Sequence, residues 1–342
     1  MNKVARHSVA MRQFKELFGL SAPIVQGPMG GISGAKLVAT VSNAGALGIL
    51  PIWFMNFSDA KLAIVETQRQ TRKRFGVNIR SDLVQLDHIS AAIDCGVSII
   101  HCFWGDPAAS LPAIADRNAD LICTVTDDDT AKAALDAGAV TLIAQGVEAG
   151  GHVQGTMPVE ELLARTVDLA EGVPVVAAGG FSSAEDLRQV VAMGASGGLF
   201  GTRFVLSKES LAHPAYQDLL IKSGPEATIR TTCFDIAWPD APHRVLKNST
   251  FRKWEKTGQK AAGDRPGEGD TVLVLDNGTF IPRYHVVAPD KTMIGNVEAA
   301  ALYAGKGVEH LTEVLPAAFI IQELSHALNG STQHAPEHER RN

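Results

Sequence analysis

The sequence predicts an α/β chain folded as a (β/α)8 barrel, with an additional, mainly helical lid inserted after the eighth strand. Three observations carry that prediction. Eight short aliphatic runs alternate with seven segments of helical spacing, and strict βα alternation gives a parallel sheet. The runs are continuously apolar rather than alternating, as strands covered on both faces are. The turn after the first run, Gly27-Pro28-Met29-Gly30-Gly31, does not fit the GxGxxG of a doubly wound dinucleotide-binding sheet. Eight βα units are, by contrast, the number that closes into a barrel.

In chain order, Phe14 to Phe18 reads as a helical turn and Ile24-Val25-Gln26 as the first strand. Helical spacing from Ala35 to Asn43 leads to strand two, Ala46 to Leu50. A helix over Ser58 to Thr71, with Ser58 as N-cap, precedes strand three, Phe75 to Ile79. Helices at His88 to Cys95, Leu111 to Asn118 and Thr130 to Ala137 alternate with strands at Val97 to Cys102, Asp120 to Thr124 and Ala139 to Ala144. A longer helix, Val159 to Glu171, leads to strand seven, Val173 to Ala177. The helix Ser183 to Met193, stopped by Gly194, leads to strand eight, Gly198 to Gly201. Beyond Phe204 the strand pattern stops. Lys256 to Asp276 reads as an exposed loop, while Met293 to Gly305 and Val308 to Leu328 have helical spacing. The chain therefore divides into a barrel, 1–206 plus 300–328, a capping region, 207–299, and a polar tail, 329–342, expected to be disordered.

A length of 342 residues suits an α/β barrel folded as one unit. The 45% apolar and 20% charged composition is that of an ordered globular protein. A net charge of −6 leaves no basic footprint and argues against nucleic acid. Four scattered cysteines without CxxC spacing suit a reducing, cytoplasmic setting. Met1 to Gln13 lacks the apolar core of a secretory signal, and no run reaches membrane-spanning length. No metal site is expected. The consecutive carboxylates Asp127-Asp128-Asp129 diverge from one another and suit a helix start.

In such a barrel the working face is the C-terminal end of the strands. Strand one ends in Pro28-Met29-Gly30, strand three in Asn78 and strand five in Thr124. The loop after strand six holds Gly150-Gly151-His152. Strand seven ends in Gly179-Gly180, and strand eight in Gly201-Thr202. Bare main chain and a hydroxyl after strands seven and eight suit a phosphate. Glycine at four strand ends implies a broad planar ligand pressed on the backbone. FMN, flat and phosphorylated, meets both demands. His152 is the neighbouring side chain able to exchange a proton near neutral pH. His101, ending strand four, shapes a substrate pocket or is a satisfied structural histidine. His243 and Arg244 belong to a lid, a phosphate contact or a capped helix start.

The ordered series Gln26-Gly27-Pro28-Met29, Phe75-Gly76-Val77-Asn78, Glu148-Ala149-Gly150-Gly151-His152, Ala178-Gly179-Gly180-Phe181, Gly201-Thr202-Arg203-Phe204 and Leu302-Tyr303-Ala304-Gly305 resembles the nitronate monooxygenase (2-nitropropane dioxygenase) family over about residues 14–325. The resemblance implies an FMN-dependent barrel with a lid. Met29 and Gly30 would line the flavin ring, and Asn78 would bond its polar edge. Gln145 and Gly150 would lie beside the ring. Gly179, Gly180, Gly201 and Thr202 would hold the phosphate, His152 would be catalytic, and Tyr303 with His101 would meet substrate. It implies oxidation of alkyl nitronates, or nitroalkanes, by O2 to a carbonyl compound and nitrite. The alternative is an NAD(P)H-dependent quinone or enoyl-thioester reductase on the same scaffold. The partners expected are a small-molecule substrate and O2, with NAD(P)H in the alternative, for a monomer or homodimer.

Overall fold

The computed structural model describes residues 3–326 and 328 of the chain. Its centre is one parallel sheet of eight strands: β1 (Ile24–Gln26), β2 (Ile49–Pro51), β3 (Gly76–Arg80), β4 (Ile99–Phe103), β5 (Asp120–Val125), β6 (Thr141–Gln145), β8 (Val175–Ala178) and β9 (Gly197–Phe200). A two-residue strand, β7 (Gly151–His152), lies outside it. The strand order β1-β9-β8-β6-β5-β4-β3-β2 leaves β1 and β2 at opposite ends. A parallel bridge between Val25 and Leu47 joins those ends. Gln26 N donates to Leu47 O, and Leu47 N donates to Ile24 O, each at 2.9 Å. The barrel is thereby closed, and its eight-stranded sheet keeps no free edge.

β-Branched and leucine side chains dominate both faces of these strands. Outward residues such as Ile79, Ile100, Leu142 and Ala177 pack under the helices. Inward ones, among them Val25, Ile49, Ile99, Ile122, Ile143 and Val176, fill the barrel interior. The floor is closed by the N-terminal helix Lys3–Phe18, which the sequence showed only as a turn over its last residues. Phe14 and Phe18, four residues apart and so on one face, meet edge-on at 5.5 Å and join the interior cluster. The rest of that helix mixes polar residues with scattered apolar ones, which hid its period.

Helix starts follow local chemistry. Asp127 forms a capping box with Thr130, and Ser183 forms one with Asp186. The third helix, Phe57–Gln70, is capped by Asn56 rather than Ser58. Asn56 Oδ1 accepts from Asp59 N at 2.9 Å.

After β9 the chain is mixed where helix was expected. Beside the helices Pro214–Ile221 and Ser249–Lys256 it forms β10 (Thr228–Thr231), β11 (His243–Leu246), β12 (Thr271–Val274), β13 (Phe280–Pro282) and β14 (Ile294–Gly295). These make two three-stranded sheets, β10-β11-β7 and β13-β12-β14. Strands of two to four residues are too short to show a period of two, so their pairing is legible only in space. The expected helix over 293–305 is β14, a 3-10 turn at Val297–Ala299 and extended chain. The last α-helix is Ala317–His326, set directly after Pro316. It packs on the helices Ala35–Asn43 and Ala184–Met193. The tail 329–342 lies outside the described residues. Among those residues no helix is long and apolar enough to cross a membrane.

Candidate active site

A cavity of about 590 Å³ opens above the C-terminal ends of the barrel strands, a size typical of small-molecule and cofactor sites. All fifteen residues picked out from the sequence line it: Pro28, Met29, Gly30, Asn78, His101, Thr124, Gln145, Gly150, Gly151, His152, Gly179, Gly180, Gly201, Thr202 and Tyr303.

His152 sits in β7, whose partner is β11, with His152 opposite His243 and Gly151 opposite Arg244. Gln145 Nε2 donates to the His152 carbonyl at 3.3 Å and ties the loop to the end of β6. The imidazole stacks on Trp238 with centroids 3.9 Å apart and planes 18° from parallel. The Arg80 guanidinium lies 3.3 Å from the same indole centroid. Two groups that close to one ring centre cannot share a face, so Trp238 is sandwiched between them. Arg80 is itself held by Asp82 through bonds of 3.0 and 2.6 Å. Trp104 and Tyr303 complete the surround, with ring centroids 6.1 and 5.5 Å from His152. Burial drives the His152 pKa well below its ordinary value, and His243 and Arg80 push it the same way. The imidazole is neutral at pH 7. Its Nε2 is buried and has no hydrogen-bond partner among the described residues.

Beneath it lies a fixed polar relay. The Asn78 amide nitrogen sits 3.2 Å from His101 Nδ1 and 3.2 Å from the His101 carbonyl. An amide N–H can only donate, so Nδ1 accepts and the His101 proton resides on Nε2, which donates to Thr124 Oγ1 at 2.8 Å. Both ring nitrogens are taken, and burial lowers the pKa to about 3. His101 is thus a satisfied neutral histidine, one of the two readings its sequence position left open. It also orients Asn78, whose carbonyl oxygen is left buried and without a partner.

The glycines divide into two kinds. A Cβ on Gly150 would fall 2.5 Å from Gly305 N and 2.6 Å from Ala304 C, and one on Gly180 would fall 2.9 Å from Glu148 O. Gly305 in turn has Gly180 Cα 2.9 Å from where its Cβ would be. These glycines let the late segment 302–307 cross the two loops. Lys306 N donates to Glu148 O, and Gly307 N to Gly180 O, each at 3.0 Å. A Cβ on Gly201 would meet nothing within 4 Å. Gly201 therefore leaves room for something other than protein. Thr202 Oγ1 accepts from Gly305 N at 3.0 Å.

Sequence reasoning missed the aromatic wall of Trp53, Phe103, Trp104 and Trp238, and Arg80 behind it. It singled out His243 and Arg244 but left them as part of a lid, a phosphate contact or a capped helix start. The structure has a turn and a strand there. Pro239 and Pro242 interrupt any helix, and Ala237 and Asp240 take φ of 78° and 54°. His243 Nδ1 donates to Ala241 O at 2.8 Å while its Nε2 accepts from Phe234 N at 3.3 Å, so it is neutral and structural. Arg244 donates to Val147 O at 2.8 Å. Cys102 and Cys123 are buried register partners in the layer between barrel and helices. No metal-binding cluster is present among the described residues.

Comparison with known proteins places this geometry. The nitronate monooxygenase family profile matches residues 12–95 and 85–327. The (3aS,4S,5R,7aS)-5-hydroxy-7a-methyl-1-oxo-octahydro-1H-indene-4-carboxyl-CoA dehydrogenase of Mycobacterium tuberculosis is 34% identical over 251 residues, covering 72% of this chain and 69% of that protein. A nitronate monooxygenase of Pseudomonas aeruginosa is 29% identical over 370 residues, covering 93% and 99%. The solved nitroalkane oxidase from Streptomyces ansochromogenes matches with a TM-score of 0.72 and 27% identity, covering 92% of this chain and 97% of that one.

Proposed function

We infer the chemistry of this chain from one premise: it belongs to the nitronate monooxygenase family and is an oxidoreductase. We propose that it oxidises alkyl nitronates with O2, using FMN held at the barrel mouth. In that reaction each nitronate carbon gains one oxygen atom and releases nitrite, so two nitronates and one O2 give two carbonyls and two nitrites. The observation that carries the reading is a pair of buried polar atoms without partners, Asn78 Oδ1 and His152 Nε2, contributed by two residues of one cavity wall. A buried acceptor is costly unless something donates to it.

The residues present fit FMN. The free Asn78 carbonyl matches the imide N–H of an isoalloxazine, and the open wall at Gly201 leaves space against bare main chain. Met29 and Gly30 would flank the ring, with Gln145, Gly150 and Thr124 at its edges. Gly179, Gly180, Gly201 and Thr202 would hold the phosphate. When bound, the flavin supplies the electron transfer between nitronate and oxygen. The chain's own part is positional. Trp238 and Arg80 fix the plane of His152, and burial keeps that imidazole neutral. Nε2 is then free to donate to a nitro oxygen or, in the other tautomer, to take the α-proton of a neutral nitroalkane. Tyr303 walls the same space, its hydroxyl committed to Val286 O at 2.7 Å.

A second reading is redox chemistry on an acyl thioester, with NAD(P)H as the reductant. The thioester part of that reading is favoured by the 34% identity to a protein named as a carboxyl-CoA dehydrogenase. Anaerobic mixing separates the two. Flavin bleaching by an alkyl nitronate but not by NADH or NADPH supports nitronate oxidation, and the reverse pattern overturns it.

A further inference from the structure

Resting on the nitronate reading, we propose that His285 is a second substrate-binding residue, and that its Nε2–H donates from the capping region to an oxygen of the bound nitronate. His285 lines the same cavity as His152. Val287 N donates to its Nδ1 at 3.1 Å. A backbone N–H can only donate, so Nδ1 is the bare nitrogen and the ring proton sits on Nε2. That Nε2 makes no hydrogen bond among the described residues, and it is not sealed in protein as the Nε2 of His152 is. His101 and His243, by contrast, have both ring nitrogens bonded. His285 is a donor whose tautomer is fixed by the chain and whose partner comes from outside it.

Main chain ties this ring to the surround of His152 on two sides. His285 forms a parallel bridge with Ile236, two residues before the Trp238 that stacks on His152. Ile236 N donates to Tyr284 O at 3.1 Å, and Val286 N to Ile236 O at 3.2 Å. On the other side the Tyr303 hydroxyl donates to Val286 O at 2.7 Å, and the Tyr303 ring lies 5.5 Å from that of His152. The neighbouring hydroxyls cannot replace the imidazole. Tyr303 has spent its proton on Val286 O, Tyr216 donates to Tyr303 O, and Thr292 donates to Asp290. Burial lowers the His285 pKa, and the Val287 N–H facing Nδ1 opposes a second ring proton. A nitronate spreads one negative charge over two oxygens, so it can take a donor from each of two neutral imidazoles. A hydrogen bond to a charged acceptor is about twice as strong as one between neutral groups.

The test separates donor from bulk. His285→Asn keeps an acceptor for Val287 N and loses the donor at Nε2. His285→Phe keeps the ring's bulk without the donor, and His285→Gln returns an amide N–H near the Nε2 position. On FMN-loaded protein, kcat and KM are measured for the nitronate of 2-nitropropane, with melting temperature and FMN affinity beside them. In parallel, binding of 2-methylpropanoate, a carboxylate of similar size with the same pair of anionic oxygens, is read by flavin absorbance. The expected result is a loss of about ten- to 150-fold in kcat/KM in both His285→Asn and His285→Phe. The carboxylate should weaken to a similar degree, FMN affinity should hold, and His285→Gln should recover part of the loss. Wild-type kcat/KM and carboxylate affinity in the asparagine and phenylalanine variants overturn the proposal. A loss confined to FMN affinity also overturns it and assigns the donor to the cofactor. If the wild type oxidises no nitronate the reaction assignment fails instead, and the carboxylate titration still decides whether His285 holds a two-oxygen anion. A wild type that binds neither anion overturns both.

Discussion

Replacing Gly201 and Gly150 by alanine, one at a time, separates a glycine that makes room for a ligand from one that makes room for the chain. At Gly201 a Cβ meets no heavy atom within 4 Å, and φ of −102° is open to any residue. The flavin-free variant should melt at or above the wild-type temperature, since losing glycine's freedom in the unfolded chain contributes about 0.4–1 kcal/mol. The new methyl would stand where the proposed phosphate rests on the main chain. Overpacking of that kind costs about 1–3 kcal/mol, or roughly five- to 150-fold in FMN affinity. At Gly150 the added atom falls 2.5 Å from Gly305 N and 2.6 Å from Ala304 C. Both are backbone and cannot yield by a change of rotamer. The upper end of the overpacking range applies, about 3 kcal/mol, or roughly 4 °C in melting temperature for a chain of this length. Calorimetry of the flavin-free proteins and FMN titration by fluorescence quenching read the two effects separately. Wild-type FMN affinity in Gly201→Ala, or a wild-type melting temperature in Gly150→Ala, would refute the division of the glycines drawn above.

His152→Ala should keep its flavin spectrum and lose about 10²–10⁴ in turnover, as removal of a general acid–base group does; steady-state oxygen consumption checks it, and unchanged turnover removes His152 from the reaction. Trp238→Ala takes away both the stacked imidazole contact and the cation–π contact, about 1–3 kcal/mol together, and should lower turnover with FMN retained; full activity would show that the stack does not position the histidine. Phe14→Ala opens the barrel floor and should destabilise the protein by about 3–5 kcal/mol without changing substrate preference, measured by denaturant unfolding. Burial holds His101 down to about 3 and His243 to about 4, against about 6.5 when unfolded. Between those values the unfolded chain binds more protons, so stability should be level above pH 6.5 and fall as the pH drops toward 4. A melting temperature constant over that interval contradicts the buried neutral histidines.

The barrel was legible because its information is local and repeated: short aliphatic runs such as Ile99 to Cys102 and Leu142 to Ala144, each separated from the next by a helix. The site was legible in outline for the same reason, since residues ending successive parallel strands must converge. What escaped was whatever depends on partners far away in sequence. Trp238 meets His152 only because β11 pairs with β7, and nothing near either residue announces that pairing. That Gly150 also makes room for the chain escaped, because the segment that crowds it arrives some hundred and fifty residues later. The N-terminal helix showed only its last turn, Phe14 to Phe18, because its earlier residues carry no clear apolar stripe.

That crossing of 302–307 over the histidine loop has a bearing on how the molecule is made. Every barrel strand is complete by Phe200, yet the loop carrying His152 is still unbuttressed when that residue leaves the ribosome. Glu148 O and Gly180 O find Lys306 N and Gly307 N only after the capping region has been synthesised and has folded back. Pairings this distant close late and slowly. A nascent or truncated chain is therefore a barrel without a working mouth, and competence to bind cofactor should appear as a late step in refolding, after most of the helical signal has returned.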